Sequence, residues 1–173
     1  MKINLFKFNF LLLIFTTFLI SGVCELEIGK IAPDFSLKDQ NDSLHTLSKY
    51  KGQKVAIYFY PKDNTPGCTK EACSIRDNFS ILKNHNINIL GISYDNSKNH
   101  KSFIQKYKLQ FDLLSDLDKS VSKKYCADGW FMPQRKTILI DENGIVIHIF
   151  EEVNVLEHGF DIYDKFYPKK NEK

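Results

Sequence analysis

One apolar stretch that runs into a reactive side chain constrains this chain more than any other feature. Val55–Tyr60 consists mostly of β-branched and aromatic residues, which is typical of a buried strand. The loop Pro61–Gly67 follows, and the residues from Thr69 to about Lys83 have the pattern of a helix. Cys68 stands between this loop and this helix. The sequence therefore places a thiol at a strand–loop–helix junction of an α/β fold.

The first turn of a helix is a favourable place for a thiolate. The first backbone N–H groups of a helix have no internal acceptor, and the positive end of the helix dipole lies there. Both effects favour the thiolate of Cys68, which is the nucleophilic form, over the thiol. The alternative is a small buried hydrophobic residue, as free cysteines often are. Since Pro66, Gly67 and Thr69 are poor core material, we interpret Cys68 as a catalytic nucleophile.

A second cysteine, Cys73, lies five positions after Cys68. In a continuous helix this spacing gives about 7.5 Å of rise and about 140° of rotation, so the Cα atoms are about 8 to 9 Å apart. A disulfide tolerates a Cα separation of about 7 Å. The two thiols can therefore pair only if the first turn of the helix unwinds, and we expect such a disulfide during turnover rather than at rest. The spacing also differs from the C-x-x-C of thioredoxin-type couples.

The residues around Cys68 resemble the active-site signature of peroxiredoxins, in the pattern Pro61-x-x-x-Thr65-x-x-Cys68. The run from Thr65 to Cys73 is similar to the bacterioferritin-comigratory-protein, or peroxiredoxin Q, branch of the AhpC/TSA family. Further matches follow in the family's order, so that the resemblance covers about residues 26 to 167. They are Ile28–Phe35, Leu90–Asp95, Phe111–Asp116 and Arg135–Asp141. The resemblance implies a thioredoxin-like fold, with a mixed central β-sheet flanked by helices.

The same resemblance implies a role for each site residue. Cys68 is the peroxidatic cysteine, which a hydroperoxide oxidises to sulfenic acid, and Cys73 is the resolving cysteine that condenses with it. Thr65 orients the peroxide and Pro61 shapes and shields the loop. Arg135 supplies a guanidinium that can hydrogen-bond both thiolate and peroxide. Thioredoxin or a similar dithiol then reduces the disulfide, in antioxidant defence and redox homeostasis. No cofactor is implied, and a monomer is sufficient for this atypical 2-Cys cycle.

Several of these residues have alternative interpretations. Arg135 is otherwise a surface residue of a strand, and Arg76 is a rival cation that lies more than two turns into the helix. Thr65 is otherwise a turn or capping residue, and both roles can hold together. We interpret Cys126 as a semi-buried thiol rather than a resolving one while Cys73 is present.

Two other functions stay open at this point. One is an exported thiol–disulfide oxidoreductase on the same fold, and the other is a redox sensor that uses the two thiols as a switch.

Composition argues against other classes of function. The net charge is +3, and near +1 without the first 24 residues, so no basic field for nucleic acid is evident. No metal site is expected either, because the five histidines lack metal-ligand spacing.

Residues 1–24 have the layout of a secretory signal peptide. Lys2 and Lys7 precede the apolar run Phe8–Ile20, and two small residues follow it. We therefore predict export, to the periplasm or out of the cell. The alternative is an uncleaved membrane anchor, although a membrane-spanning helix needs about 20 apolar residues and this run is shorter.

The small residues before Glu25 predict cleavage at that point, which leaves a single thioredoxin-like domain of residues 25–173. Cys24 raises the possibility of a lipoprotein, but Val23 fits poorly with the small residue expected before a lipidated cysteine.

Within the domain, the sequence predicts short strands near residues 35–37, 44–47 and 111–114 and a buried strand at 87–93. It also predicts a hairpin at 137–150 around an Asn-Gly turn, and helices at about 97–107, 121–125 and 155–166.

Overall fold

The computed structural model describes Cys24 and residues 26–168 of the chain. The predicted signal sequence, apart from Cys24, lies outside the described residues, and so does the end of the chain. None of the helices in the described part is both long and apolar enough to cross a membrane.

Seven strands form one mixed sheet. They are β1 (Ser36–Asp39), β2 (Leu44–Thr46), β3 (Lys54–Phe59), β4 (Ile87–Ser93), β5 (Asp112–Ser115), β6 (Lys136–Ile140) and β7 (Val146–Phe150). Their order across the sheet is β2-β1-β5-β4-β3-β6-β7. The helices are a 3-10 helix (Leu47–Tyr50), α1 (Pro66–Asp77), α2 (Phe79–Asn84), α3 (Ser97–Tyr107), α4 (Ser120–Lys124) and α5 (His158–Phe166).

Strand β3 lies near the middle of the sheet because both of its faces are apolar. It pairs with β4 in parallel, with Ile57 opposite Leu90, and with β6 in antiparallel, with Ile57 opposite Ile138. All its residues from Val55 to Phe59 are buried. A strand that is covered on both faces has a continuous hydrophobic sequence. The apolar run from which this buried strand was predicted is such a sequence.

Alternate residues of β3 contribute to two cores, one on each face of the sheet. Ile57 and Phe59 pack in a cluster that includes Tyr125, just after α4. Tyr58 faces the opposite side and packs in a cluster with Ile75 of α1 and with side chains of α2, α3 and α5. The predicted mixed sheet flanked by helices is confirmed.

The predicted single helix from Thr69 to Lys83 is wrong at its start and in its middle. Helix α1 begins three residues earlier, at Pro66, because proline suits the first turn of a helix, where its missing N–H is not needed. The chain breaks at Asn78, whose backbone leaves helical geometry and whose side-chain amide donates to the Ser74 carbonyl oxygen. The second part is therefore a separate helix, α2.

Helix α5 packs closely on the second half of α1. The Gly159 N–H donates to the Ser74 hydroxyl oxygen at 3.1 Å. A Cβ atom at position 159 would lie 2.4 Å from the Ser74 carbonyl oxygen and 2.9 Å from the Ile75 Cα. Since those atoms are backbone, they cannot move aside as a flexible side chain would. The contact anchors α1 just after Cys73.

We predict that Gly159→Ala destabilises the protein by about 1 to 3 kcal/mol, because the added methyl group collides with the α1 backbone. Urea unfolding measures the change. A glycine-to-alanine change in a helix ordinarily stabilises by up to about 1 kcal/mol, so the sign is diagnostic. Lys165→Ala, at an exposed position of α5, is the control and should change the free energy of unfolding little. An equal or greater stability of Gly159→Ala would contradict the close packing.

Candidate active site

The predicted nucleophile, Cys68, is the third residue of α1 and is only 1% exposed. Thr65 is the N-cap residue, but its side chain makes no capping hydrogen bond to the helix. Its hydroxyl donates instead to the Lys62 carbonyl oxygen, at 2.9 Å. Because no side chain caps the first turn, its backbone N–H groups keep their positive partial charge close to the Cys68 sulfur.

Arg135 lies immediately before β6 and reaches the nucleophile across the site. Its Nη2 donates to the Cys68 Sγ at 3.3 Å, although the two residues are 67 positions apart in the chain. The rival cation, Arg76, is engaged elsewhere, because it pairs with Asp77 and donates to the Tyr107 carbonyl oxygen. The geometry therefore favours Arg135 over Arg76 as the charged partner of Cys68.

The second arm of the Arg135 guanidinium forms an ion pair with Glu71, which is fully buried. The other oxygen of Glu71, Oε1, lies 3.8 Å from His158 Nε2. His158 is also buried, and its Nε2 is hydrogen-bonded to the Thr137 hydroxyl at 2.8 Å. Burial, and then the charge of Arg135, lower the pKa of His158 to about 3, so this imidazole is neutral. Arg135 is therefore the cation that balances the Glu71 carboxylate.

Gly67 leaves room for this guanidinium. A Cβ atom at position 67 would lie 3.3 Å from Arg135 Nη2, closer than ordinary van der Waals contact. The glycine before the nucleophile therefore lets Arg135 approach the Cys68 sulfur at hydrogen-bonding distance.

A buried polar network holds the loop between β3 and α1. The Tyr60 hydroxyl donates to Asp63 Oδ1 at 2.7 Å, and His100 Nδ1 of α3 lies 2.9 Å from Asp63 Oδ2. The Asp63 N–H donates to Asp95 Oδ2 at 2.9 Å, and the Ser93 hydroxyl donates to the same oxygen. These contacts fix the loop that begins with Pro61, which is itself half-buried. No local sequence pattern marks this network, because its members lie on separate elements.

Tyr58 was missed as well, because its position in an apolar strand indicates only a core residue. Its hydroxyl has no hydrogen-bond partner among the described residues. Burial, and then the negative charges of Asp63 and Cys68, raise its pKa well above the ordinary value. Tyr58 is therefore a protonated phenol beside the thiol.

Cys73 is half-buried and, like Cys68, carries a free thiol. Helix α1 is continuous through both positions, so the structure has the helical arrangement in which the two sulfur atoms are kept apart. The resolving role of Cys73 stays a prediction, as do the roles of Thr65 and Pro61.

The interpretation of Cys126 as a free thiol is wrong, because Cys126 forms a disulfide with Cys24. The Cα atoms are 5.5 Å apart, within the range of an ordinary disulfide. Local patterns did not indicate this pairing, because the two residues are 102 positions apart. A chain that is cut before Glu25 would lack this bond, so the disulfide requires that Cys24 is kept.

Sequence spacing also did not predict a polar cluster on β1, β2 and β5. Ligand atoms of Asp39, His45 and Asp112 lie within 4.8 Å of one another. The imidazole is already bonded, with its Nε2 3.2 Å from Asp39 Oδ2 and its Nδ1 2.7 Å from the Tyr50 hydroxyl. These hydrogen bonds account for the cluster as part of the fold.

A cysteine thiol in the first turn of a helix, directly after an inner strand of a mixed sheet, defines the class: a protein of thioredoxin-like fold with a candidate redox-active cysteine. The model of the AhpC/TSA family matches residues 28–149. The chain belongs to this family, and its relatives place it in the peroxiredoxin Q and bacterioferritin-comigratory-protein branch.

Three comparisons support this assignment. The chain is 43% identical to the putative peroxiredoxin bcp of Coxiella burnetii over 141 residues, which cover 77% of this chain and 93% of that protein. It is 44% identical to the chloroplastic peroxiredoxin Q of Oryza sativa subsp. japonica over 125 residues, 70% of this chain and 58% of the rice protein. The match thus spans less than two thirds of the plant relative. The structure of a Xylella fastidiosa PrxQ mutant matches with a TM-score of 0.77 and 28% identity, covering 82% of this chain and 95% of that one.

We predict that His158 makes stability fall in mild acid. Its pKa is about 3 in the folded protein and about 6.5 in an unfolded chain, so its contribution is complete above pH 6.5 and is lost as the pH falls toward 3. The loss is about 1.4 kcal/mol per pH unit within this window. Urea unfolding at pH 7 and pH 5 measures it. His158→Gln should show a shallower pH dependence than the natural protein, and parallel curves for the two proteins would contradict the assignment.

Proposed function

We propose that this protein is a thiol peroxidase that reduces hydrogen peroxide and organic hydroperoxides to water and alcohols through Cys68. The observation that carries the proposal is the 3.3 Å contact between Arg135 Nη2 and the Cys68 sulfur at the start of α1. A fixed positive charge at this point favours the thiolate and is placed where negative charge develops on a departing oxygen. Membership of the peroxiredoxin branch supports the same reaction.

In the first step, the Cys68 thiolate attacks one oxygen of the peroxide. The S–O bond forms and the O–O bond breaks, so the sulfur is oxidised to sulfenic acid and the peroxide is reduced. The leaving oxygen takes a proton and departs as water or alcohol. Arg135 stabilises its charge while the bond breaks. The Thr65 hydroxyl gives its own hydrogen to Lys62, so its oxygen is left to accept a hydrogen bond from the peroxide.

In the second step, the Cys73 thiol condenses with the Cys68 sulfenic acid, and the S–S bond forms as water leaves. Helix α1 must unwind locally for the sulfur atoms to meet. The contacts of Gly159 with Ser74 and Ile75 hold the helix beyond Cys73, so unwinding is confined to the first two turns. Thioredoxin or a similar dithiol then reduces the bond by exchange. All of these groups belong to one chain, so a monomer is sufficient.

The proposed location is outside the cytosol, either in the periplasm or secreted, or held at a membrane by an uncleaved leader. The basic and apolar layout of the first residues supports a targeting leader. The Cys24–Cys126 disulfide supports an oxidising compartment, because such bonds persist there. The electron donor would then be an exported dithiol protein.

The decisive test mixes the pre-reduced full chain with one equivalent of hydrogen peroxide and follows the reaction by stopped flow and mass spectrometry. We expect rapid loss of peroxide, then a Cys68 sulfenic acid and then a Cys68–Cys73 disulfide. Oxidation no faster than that of a free thiol would overturn the proposal and favour a thiol–disulfide oxidoreductase or a redox sensor. Cys68→Ser should abolish the reaction.

Arg135→Lys should slow peroxide reduction by about 10- to 100-fold, because an ammonium group keeps the charge for Glu71 but cannot hold both partners with a planar fork. The same stopped-flow assay gives the second-order rate constant. Arg76→Lys is the matched control, since its side chain does not contact the thiol, and its rate should stay near that of the natural protein. Equal rates for the two variants would mean that Arg135 does not activate Cys68.

Cys73→Ser should reduce one equivalent of peroxide and then stop, because the sulfenic acid has no internal thiol to condense with. Peroxide consumption with excess thioredoxin and its reductase measures this loss of turnover. Repeated turnover would instead point to Cys126, which becomes available as a resolver only when its bond to Cys24 is reduced.

A further inference from the structure

We propose that the exposed tip of the loop between α4 and β6 rests on a lipid bilayer into which the apolar leader of the same chain is inserted. We call residues 127–134 the aromatic loop. Its tip carries Trp130, Phe131 and Met132. The disulfide between Cys24 and Cys126 holds the end of the leader beside this loop. This inference does not depend on peroxidase activity.

The tip of the aromatic loop presents large apolar side chains to solvent. Trp130 is 87% exposed, Phe131 is 84% exposed and Met132 is 46% exposed. The two aromatic rings stack on each other, with centroids 6.1 Å apart, and thus form one continuous surface. Single exposed apolar residues are common, but a contiguous group of this kind marks an interaction site. Tryptophan in particular is enriched where proteins meet the lipid headgroups.

Hydrogen bonds fix the shape of the aromatic loop, so the exposure is built into the fold. The Gln134 N–H donates to the Ala127 carbonyl oxygen at 2.8 Å and closes the base of the loop. The Gln134 side-chain amide donates to the Asp128 carbonyl oxygen. Lys119 Nζ donates to the Trp130 carbonyl oxygen at 2.6 Å and holds the tip. A loop that is closed in this way presents its aromatic side chains outward at little further cost in conformational entropy.

Positive charge lies beside the apolar tip. Phe131 and Met132 line a groove together with Lys62 and Leu117, and Leu117 is itself an exposed apolar residue. The same groove contains Asp95, whose carboxylate is buried and hydrogen-bonded to Ser93. Lys119 contributes a second ammonium group at the loop. Asp128 is the acidic residue within the loop. Lysines beside exposed aromatic residues suit a membrane surface with anionic lipids, to which each basic side chain adds about 1 kcal/mol of attraction.

The disulfide fixes Cys24, the last residue of the leader, close to the aromatic loop. Cys126 precedes Trp130 by four residues, and it is bonded to Cys24. The apolar run Phe8–Ile20 ends four residues before Cys24, and four extended residues span at most about 14 Å. If the run enters a bilayer, the bilayer surface lies within that distance of the disulfide. We therefore infer that the aromatic loop contacts the same membrane into which the leader inserts.

Trp130 is the only tryptophan in the chain, so its fluorescence reports on this loop alone. The experiment reconstitutes the full chain, with its disulfide intact, into vesicles of equal parts phosphatidylcholine and phosphatidylglycerol. We expect a blue shift of the emission and a several-fold loss of quenching by iodide, compared with the protein in vesicle-free buffer. Quenching by lipids that carry bromine near the headgroup should be strong, because the indole lies at that depth.

Three results would overturn the proposal. If the chain binds the vesicles but iodide quenches Trp130 as well as it does in buffer, only the leader contacts the lipid. If the blue shift grows with protein concentration without vesicles, a second copy of the chain covers the loop. If Trp130 is shielded in buffer at every concentration, the leader itself covers it.

The matched variant is Cys24→Ser with Cys126→Ser, which keeps the leader and the aromatic residues but removes the tether. We expect this variant to bind vesicles as the natural chain does, while iodide quenching of Trp130 returns toward its value in buffer. Phe160→Ser, which changes a partly exposed aromatic residue on α5, should leave Trp130 fluorescence on vesicles unchanged. Unchanged shielding of Trp130 without the disulfide would show that the bond does not position the loop.

Discussion

The guanidinium of Arg135 is shared between the Cys68 sulfur and the Glu71 carboxylate. Glu71 is fully buried, and the loss of one partner of a buried ion pair typically costs about 3 to 5 kcal/mol. The arginine is therefore held in place by the stability of the fold as well as by its contact with the thiol. His158 is neutral and so adds no second positive charge near the guanidinium. Gly67 has no side chain that would crowd the guanidinium. The charge at the candidate active site is thus fixed by the fold itself, as electrostatic preorganisation for the proposed reaction requires.

The rest of the site follows from how the sheet presents the loop after β3. Tyr60, Asp63 and His100 join the loop to α3 through buried hydrogen bonds, and α5 anchors the far end of α1. Between these fixed points lie the first two turns of α1, which is the segment that must unwind in the proposed cycle. The Glu71–Arg135 ion pair lies inside this segment, so the proposed unwinding has to break that contact, while the contacts on either side of the two cysteines stay in place.

The sequence predicted what local patterns encode and missed what depends on distant contacts. The apolar run of β3, the hairpin of β6 and β7, and the position of Cys68 at a helix start follow from periodicity and turn chemistry. The ion pair of Glu71 with Arg135 joins residues 64 positions apart, and the Cys24–Cys126 disulfide joins residues 102 apart. No local pattern marks such pairs. Arg135 itself was identified through the family resemblance, because an arginine before a strand carries no signal of its own.

The disulfide at Cys126 means that the proposed cycle runs in a chain with two sulfur–sulfur bonds of different kinds. The Cys68–Cys73 bond exists only while the start of α1 is unwound, so its reduction is coupled to refolding of that helix. About 1.4 kcal/mol of refolding free energy raises the reduction potential of such a couple by about 30 mV. The Cys24–Cys126 bond is already present while α1 is intact, so its reduction is not coupled to refolding of that helix. A donor whose potential lies between the two delivers its electrons to the catalytic bond alone, and the fold thereby protects one disulfide from the reductant that the other requires.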